Sequence, residues 1–443
     1  MAGSASEQLA QRYALQLSPA WQAWFDQDAG RSLLAGQFRA PVAMGDLLKP
    51  TPPDLWPGFM LPDTLPLVGN DYGDWWCMRI GSDNQISEIV QWQHGGGDWL
   101  PVGRTIAEAG LWDAIHRSHD LVIGAQAAAH EYPQRMRPTQ AMDPVVDSAQ
   151  RELENWLSHG LGASQTELGR ILQQSASGQY RAALEQLVQR DWATHAAACE
   201  LIEVALQGSL KLLADPKLAD RCGIDWTPEY TSWLFDTQRI PDAARRMLRE
   251  FDSAVEFGQD WEAAGQRAVQ TLARRSDLSW AGDVAGWAAE RAGDVDRAID
   301  IYFANRATSA FTDQSVRLRS HWFGERFGKF CSAQLARLKN QLSGQQSSDS
   351  YLQILWNEPV PRMRAAIRDF WLAQAKEAVR QQAYAEAYSM TWNAGWDLGA
   401  ERLSDYLEIL DGLASTARSA GWTARAVVAA THAECLRSRL PTH

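Results

Sequence analysis

The chain has 443 residues, 45% of them hydrophobic and 22% charged, with a formal net charge of −12. That length supports two or three cores, and the composition is that of an ordinary globular protein rather than a disordered or fibrous one. No apolar run reaches the roughly 18 residues of a membrane-spanning helix, and the lack of a basic block argues against nucleic acid as a direct ligand.

The N-terminal stretch lacks a basic segment followed by an apolar one, the pattern of a secretory signal. The five cysteines (77, 199, 222, 331 and 435) are scattered and form no CxxC pair. Neither a disulfide framework nor a zinc site is expected, and a reducing cytoplasm is the expected compartment. No cofactor is implied. Residues 1–125 hold 14 acidic and 7 basic side chains, an imbalance that would speed encounter with a basic protein partner; acidic surface can equally serve solubility alone.

In chain order, Glu7–Leu17 shows a short helical pattern. Ser18-Pro19 then supplies an N-cap and a first-turn proline, and Trp21, Trp24 and Phe25 fall on one helical face. Seven prolines between Pro41 and Pro66 exclude a continuous helix there. From Trp76 the pattern alternates, with Trp76, Met78 and Ile80 on one face and Cys77 and Arg79 on the other, which predicts a half-buried strand. Gly81–Asn84 is a turn, and Ile86–Trp92 returns as a second strand. Thr105-Ile106-Ala107-Glu108 is a capping box that opens a helix through about His119. Helix, irregular segment, strands and helix make residues 1–125 an α+β domain.

Pro133, Pro138 and Pro144 mark 126–146 as a linker that would leave the flanking parts separable. From Asp147 to the end the composition favours helix, and no strand is expected. Caps stand at Ser164–Glu167 and at Thr227-Pro228, and the polar stretch 343–350 is a point of possible division. Gly293, Ala298 and Tyr302, with Gly286 seven before Gly293, are spaced like the turn and second helix of a tetratricopeptide repeat. Gly178, Ala183 and Leu187 keep the same offsets, as do Gly421, Ala426 and Ala430. The copies do not follow a simple period, so the pattern is either a degenerate helical repeat or a set of generic alanine-rich helix pairs; both predict an all-α, solenoid-like region over 147–443.

The polar residues of the strand region cluster in two glycine-flanked turns, Asn70–Asp74 and His94–Trp99. Asp71, Asp74, His94 and Asp98 could act as acid and base or hold a hard cation. They match no EF-hand, HExxH, GxSxG or phosphate-loop pattern, and the simpler expectation is that Asp74 and Asp98 bond neighbouring amides. His116 and His119 have no third ligand nearby, and Cys77 reads as a small core residue. No metal site follows. The 21 tryptophans divide between core fillers and exposed anchors in a way the sequence does not specify.

The run Leu65-Pro66-Leu67-Val68-Gly69-Asn70-Asp71-Tyr72-Gly73-Asp74, with the later Glu88–Trp92 strand and its Gln93-His94-Gly95-Gly96-Gly97-Asp98-Trp99 ending, resembles the SUKH superfamily. That superfamily includes fungal cell-wall-assembly regulators and bacterial immunity proteins, and the resemblance covers about residues 18–120. It implies a central, mainly antiparallel sheet flanked by helices. It also implies a non-catalytic role in which the sheet and its loops bind another protein, often a toxin or nuclease. Tyr72, Asp74, Trp92, His94, Asp98 and Trp99, in or beside the two turns, are the candidate binding residues. Two other readings stay open: a scaffold whose helical repeats recruit the partner, and a hydrolase built on Asp74, His94 and Asp98.

Overall fold

The computed structural model describes residues 3–26, 37–94, 97–104, 106, 109, 113, 262–312, 314 and 328–440. The expected linker 126–146, the caps at Ser164–Glu167 and Thr227-Pro228, His116, His119 and the Gly178 copy of the repeat lie outside them. The chain forms two compact units. One gathers Met1–Ala109, Ser309–Phe311 and Ser343–His443; the other comprises Gly110–Thr308 and Thr312–Leu342. Among the described residues no helix is long and apolar enough to cross a membrane.

In the first unit, helix α1 (Ala5–Tyr13) starts at a capping box between Ser4 and Glu7 and ends at Ala14, whose backbone is left-handed. Helix α2 (Pro19–Asp26) follows the predicted cap and buries Trp21, Trp24 and Phe25. The proline-rich stretch yields only the two-residue strand β1 (Ala40–Pro41) and the single turn α3 (Met44–Leu47). Strands β2 (Thr64–Gly69), β3 (Trp75–Ile80), β4 (Ile86–Trp92) and β5 (Trp99–Gly103) follow in sequence. The five strands lie in the order β1-β2-β3-β4-β5, every neighbouring pair antiparallel. The predicted antiparallel sheet is therefore present.

The strand alternation holds, but β3 is not half-buried. Cys77 and Trp76, on opposite faces, are both 0% exposed, so each face is covered. Trp76 stacks on Phe38 with centroids 4.8 Å apart. On the Cys77 face, Gly69, Trp75, Trp92 and Trp99 form one row across four strands, and the missing side chain at Gly69 lets the Trp75 indole lie over it.

The second unit holds helices α4 (Glu262–Arg274), α5 (Ser279–Arg291), α6 (Val295–Ala304) and α7 (Phe330–Arg337). The α5–α6 turn is the predicted one: Gly293 has φ +82, and Asp294 caps α6 by accepting from the Arg297 amide. Gly286 lies directly under the buried Tyr302 ring, which leaves no room for a side chain there. Tyr302 also meets Phe330 edge-on, at 6.0 Å.

The first unit is completed by α8 (Gly344–Ser347), α9 (Ser350–Asn357), α10 (Val360–Arg380), α11 (Tyr384–Trp396), α12 (Tyr406–Ser419) and α13 (Thr423–Arg439). Their composition groups these residues with the helical region and apart from the sheet, with a division at 343–350. They instead fold with the sheet. The reason is a set of bonds between distant segments: Arg425 Nε to Ile80 O at 2.8 Å, the Ala424 amide to Asn84 Oδ1 at 2.8 Å, and His432 Nε2 to Thr64 O at 2.8 Å. The α12–α13 turn repeats the α5–α6 geometry, with Gly421 at φ +80. A third hairpin, α10–α11, does so with Gln382 at φ +60. Each is followed five residues later by a buried alanine: Ala298, Ala387 and Ala426.

Candidate functional site

The two polar turns meet at one end of the sheet. Asn70 ends the approach from β2 and builds the first turn from its own side chain: Oδ1 accepts from the Tyr72 amide at 3.0 Å and from the Asp74 amide at 2.9 Å, and Nδ2 donates to Asp74 Oδ2 at 3.2 Å. This is the local side-chain-to-backbone bonding that asparagine favours in turns. Gly73 completes the bend at φ +89, a conformation glycine adopts without steric cost.

Asp74 then reaches the second turn. Its Oδ1 accepts from the His94 backbone amide at 3.1 Å and pairs with His94 Nδ1 at 3.0 Å. With the Asp74 carboxylate accepting, Nδ1 carries the proton and the lone pair of the neutral ring lies on Nε2. His94 is 57% exposed at its side chain against 20% for Asp74. The pair is thus an oriented imidazole at the surface, able to accept a hydrogen bond or, once protonated, to meet an anion.

Tyr72 is the most exposed large side chain in this region, at 72%. Beside it Arg39, leading into β1, forms an ion pair with Asp71. The Asp71 carboxylate holds the Arg39 guanidinium above its ordinary value, first through the hydrogen bond and then through charge. Both partners are well exposed, and such a pair contributes little to stability.

The remaining candidates belong to the interior. Trp92 is buried and donates from Nε1 to Phe59 O at 3.0 Å. Trp99 is 1% exposed and lies under the Arg79 guanidinium, 5.0 Å from the ring centroid. Asp98 is 3% exposed; its backbone carbonyl accepts from the Gln93 amide and closes the turn, and the Gly97 amide donates to Gln93 O. Trp92, Asp98 and Trp99 therefore shape the platform, and Tyr72, Asp74 and His94 are what it presents. The Asp74–His94 pair is brought together, whereas Asp98 is withdrawn from solvent. No group of three His, Cys, Asp or Glu side chains among the described residues is arranged to hold a metal ion.

No family model, curated protein or solved structure matches the chain.

One contributor escapes a reading of the sequence. Arg39 is 32 residues from Asp71, and only the β1–β2 pairing joins them. Asn70 could have been found, because an asparagine two residues before an exposed aromatic and four before an aspartate is an Asx-turn signal. Trp56 and Phe59, 47% and 51% exposed, lie in the proline-rich segment, where no periodicity marks a face.

Proposed function

We propose that the chain is a non-enzymatic protein-binding protein of the toxin-neutralising or regulatory kind, which meets its partner at the β2–β3 and β4–β5 turns. One observation carries this reading: Tyr72 is exposed on a loop whose backbone is tied down by Asn70. A large amphipathic ring on a fixed loop contributes contact area with little ordering entropy to lose. The SUKH-like run Leu65–Asp74 and the antiparallel sheet behind it support the same reading. So does the acidic balance of residues 1–125, which suits a basic partner such as a toxin or nuclease in the cytoplasm.

The test is affinity capture with the full chain, identification of the captured protein, and rebinding with both components purified. Tyr72→Ala should weaken binding at least tenfold, on the order expected for a hot-spot aromatic, with the thermal midpoint unchanged. Undiminished binding by that variant would remove the loops as the contact.

Two other readings have an observation each. The Asp74–His94 pair supports a hydrolase in which His94 Nε2 acts as base; His94→Ala would then lower turnover by at least about a hundredfold, while undiminished turnover would exclude the dyad. The recurring hairpin turns at Gly293, Gln382 and Gly421 support a solenoid-like scaffold that recruits the partner through helices. Binding that survives Tyr72→Ala but fails on substitution of the exposed Val269 or Val379 would favour it.

A further inference from the structure

The last helix is fastened to the sheet through a histidine in an unusual electronic position. His432 is 0% exposed. Its Nε2 lies 2.8 Å from Thr64 O, and because a carbonyl can only accept, the ring proton is on Nε2. Nδ1 is then a bare lone pair, and it has no hydrogen-bond partner. Adding a proton there would create a buried cation whose second N–H has no acceptor already bonded to it.

The groups around the ring pull in both directions. From the start of β2, the Asp63 carboxylate favours a charged imidazole. From α13 itself, Arg439 disfavours it. Asp63 Oδ2 is engaged by Arg79, which also holds Glu88. Arg425 of α13 lies over the Tyr388 ring of α11, and Arg12 of α1 bonds Thr431 Oγ1 at 3.4 Å, next to Tyr13. Burial outweighs the favourable contributions from Asp63 and the Thr64 carbonyl, and holds His432 down to about 4.

We propose that His432 is an acid-sensitive latch: protonation at Nδ1 releases helix α13 from the sheet and uncovers the β2–β3 surface around Thr64. The same helix carries the bonds to Ile80 O and Asn84, so these open with it. This device stands apart from the binding loops and does not depend on their function.

The direction follows from linkage. In the closed state the imidazole titrates near 4, against 6.5 when it is free. The closed state's advantage is complete above pH 6.5 and is lost as the pH falls toward 4. Between pH 7.5 and pH 5 the opening equilibrium should therefore rise about 30-fold.

Hydrogen exchange of the full chain at pH 7.5 and pH 5, corrected for intrinsic rates, reads this directly at Thr64–Gly69 and Thr423–Arg439. Wild type should lose about 30-fold in protection at both segments. H432Q, whose amide N–H can still donate to Thr64 O but cannot take up a proton, should lose less than about threefold, since its linkage contribution is gone. Equal protection of wild type at the two pH values, or the same loss in H432Q, would overturn the latch. Should H432Q not fold, NMR of histidine-labelled wild type decides: His432 staying neutral well below pH 6 is expected, and an ordinary titration overturns the proposal.

Discussion

Replacing Gly286 by alanine tests the α5–α6 helix pair at its tightest point. An added Cβ would stand far inside contact distance of Tyr302 Cε1 and Cδ1, where carbon atoms prefer about 3.5–4.0 Å. The ring cannot simply swing away, because Tyr302 is 0% exposed, its hydroxyl donates to Glu290 Oε2 at 3.1 Å, and Phe330 meets its edge. Overpacking of this kind costs about 3 kcal/mol, the upper part of its usual range. Alanine's better helix propensity offsets about 1 kcal/mol, leaving a net loss near 2 kcal/mol. Since a chain with two compact units need not unfold in one step, the assay is hydrogen exchange at Ser279–Arg291, where 2 kcal/mol is about a 30-fold fall in protection. In a Tyr302→Leu background the clash is gone, and Gly286→Ala should become neutral or stabilising by up to about 1 kcal/mol. Unchanged protection in the single variant would show that α5 and α6 do not pack at this distance.

The other expectations concern the site and the buried thiols. Asp74→Ala strands the His94 amide and should cost about 1 kcal/mol, as for a lost cap, whereas Asp98→Ala, at a buried position, should cost more, up to about 3 kcal/mol; thermal unfolding of the two variants side by side gives the order, and a more damaging Asp74→Ala would contradict it. Cys77, Cys331 and Cys435 are buried, and burial pushes the Cys435 thiol up to about 11, so alkylation at pH 8 should leave all three unmodified in native protein; rapid labelling of Cys77 would mean that one sheet face is open. If the partner is basic, association should slow as salt shortens the Debye length from about 10 Å at 0.1 M to about 3 Å at 1 M, and a rate indifferent to salt would assign the acidic surface to solubility.

The sequence determined what depends on neighbours along the chain. The period-two run after Trp76, the turn at Gly81–Asn84, the Ser18-Pro19 helix start and the Gly293 hairpin all formed as predicted, because strand alternation, capping and left-handed turns are set within a few residues. The turn at Asn70–Asp74 was legible as a bonded loop for the same reason. The third hairpin was not, because Gln382 occupies the left-handed position that glycine marks at Gly293 and Gly421.

Tertiary structure decided what depends on partners far along the chain. Whether a tryptophan is core or surface was one such matter: Trp92 and Trp99 are enclosed while Trp56 is open, and nothing in their immediate sequence separates them. The pairing of Asp74 with His94 required β3 and β4 to bring two turns to one end of the sheet. The burial of His432 against Thr64, 368 positions earlier in the chain, required residues 343–443 to fold with the sheet. Alanine-rich helices carry no address for the surface they cover; the apolar face records that burial is needed, and only packing complementarity between distant segments selects the partner.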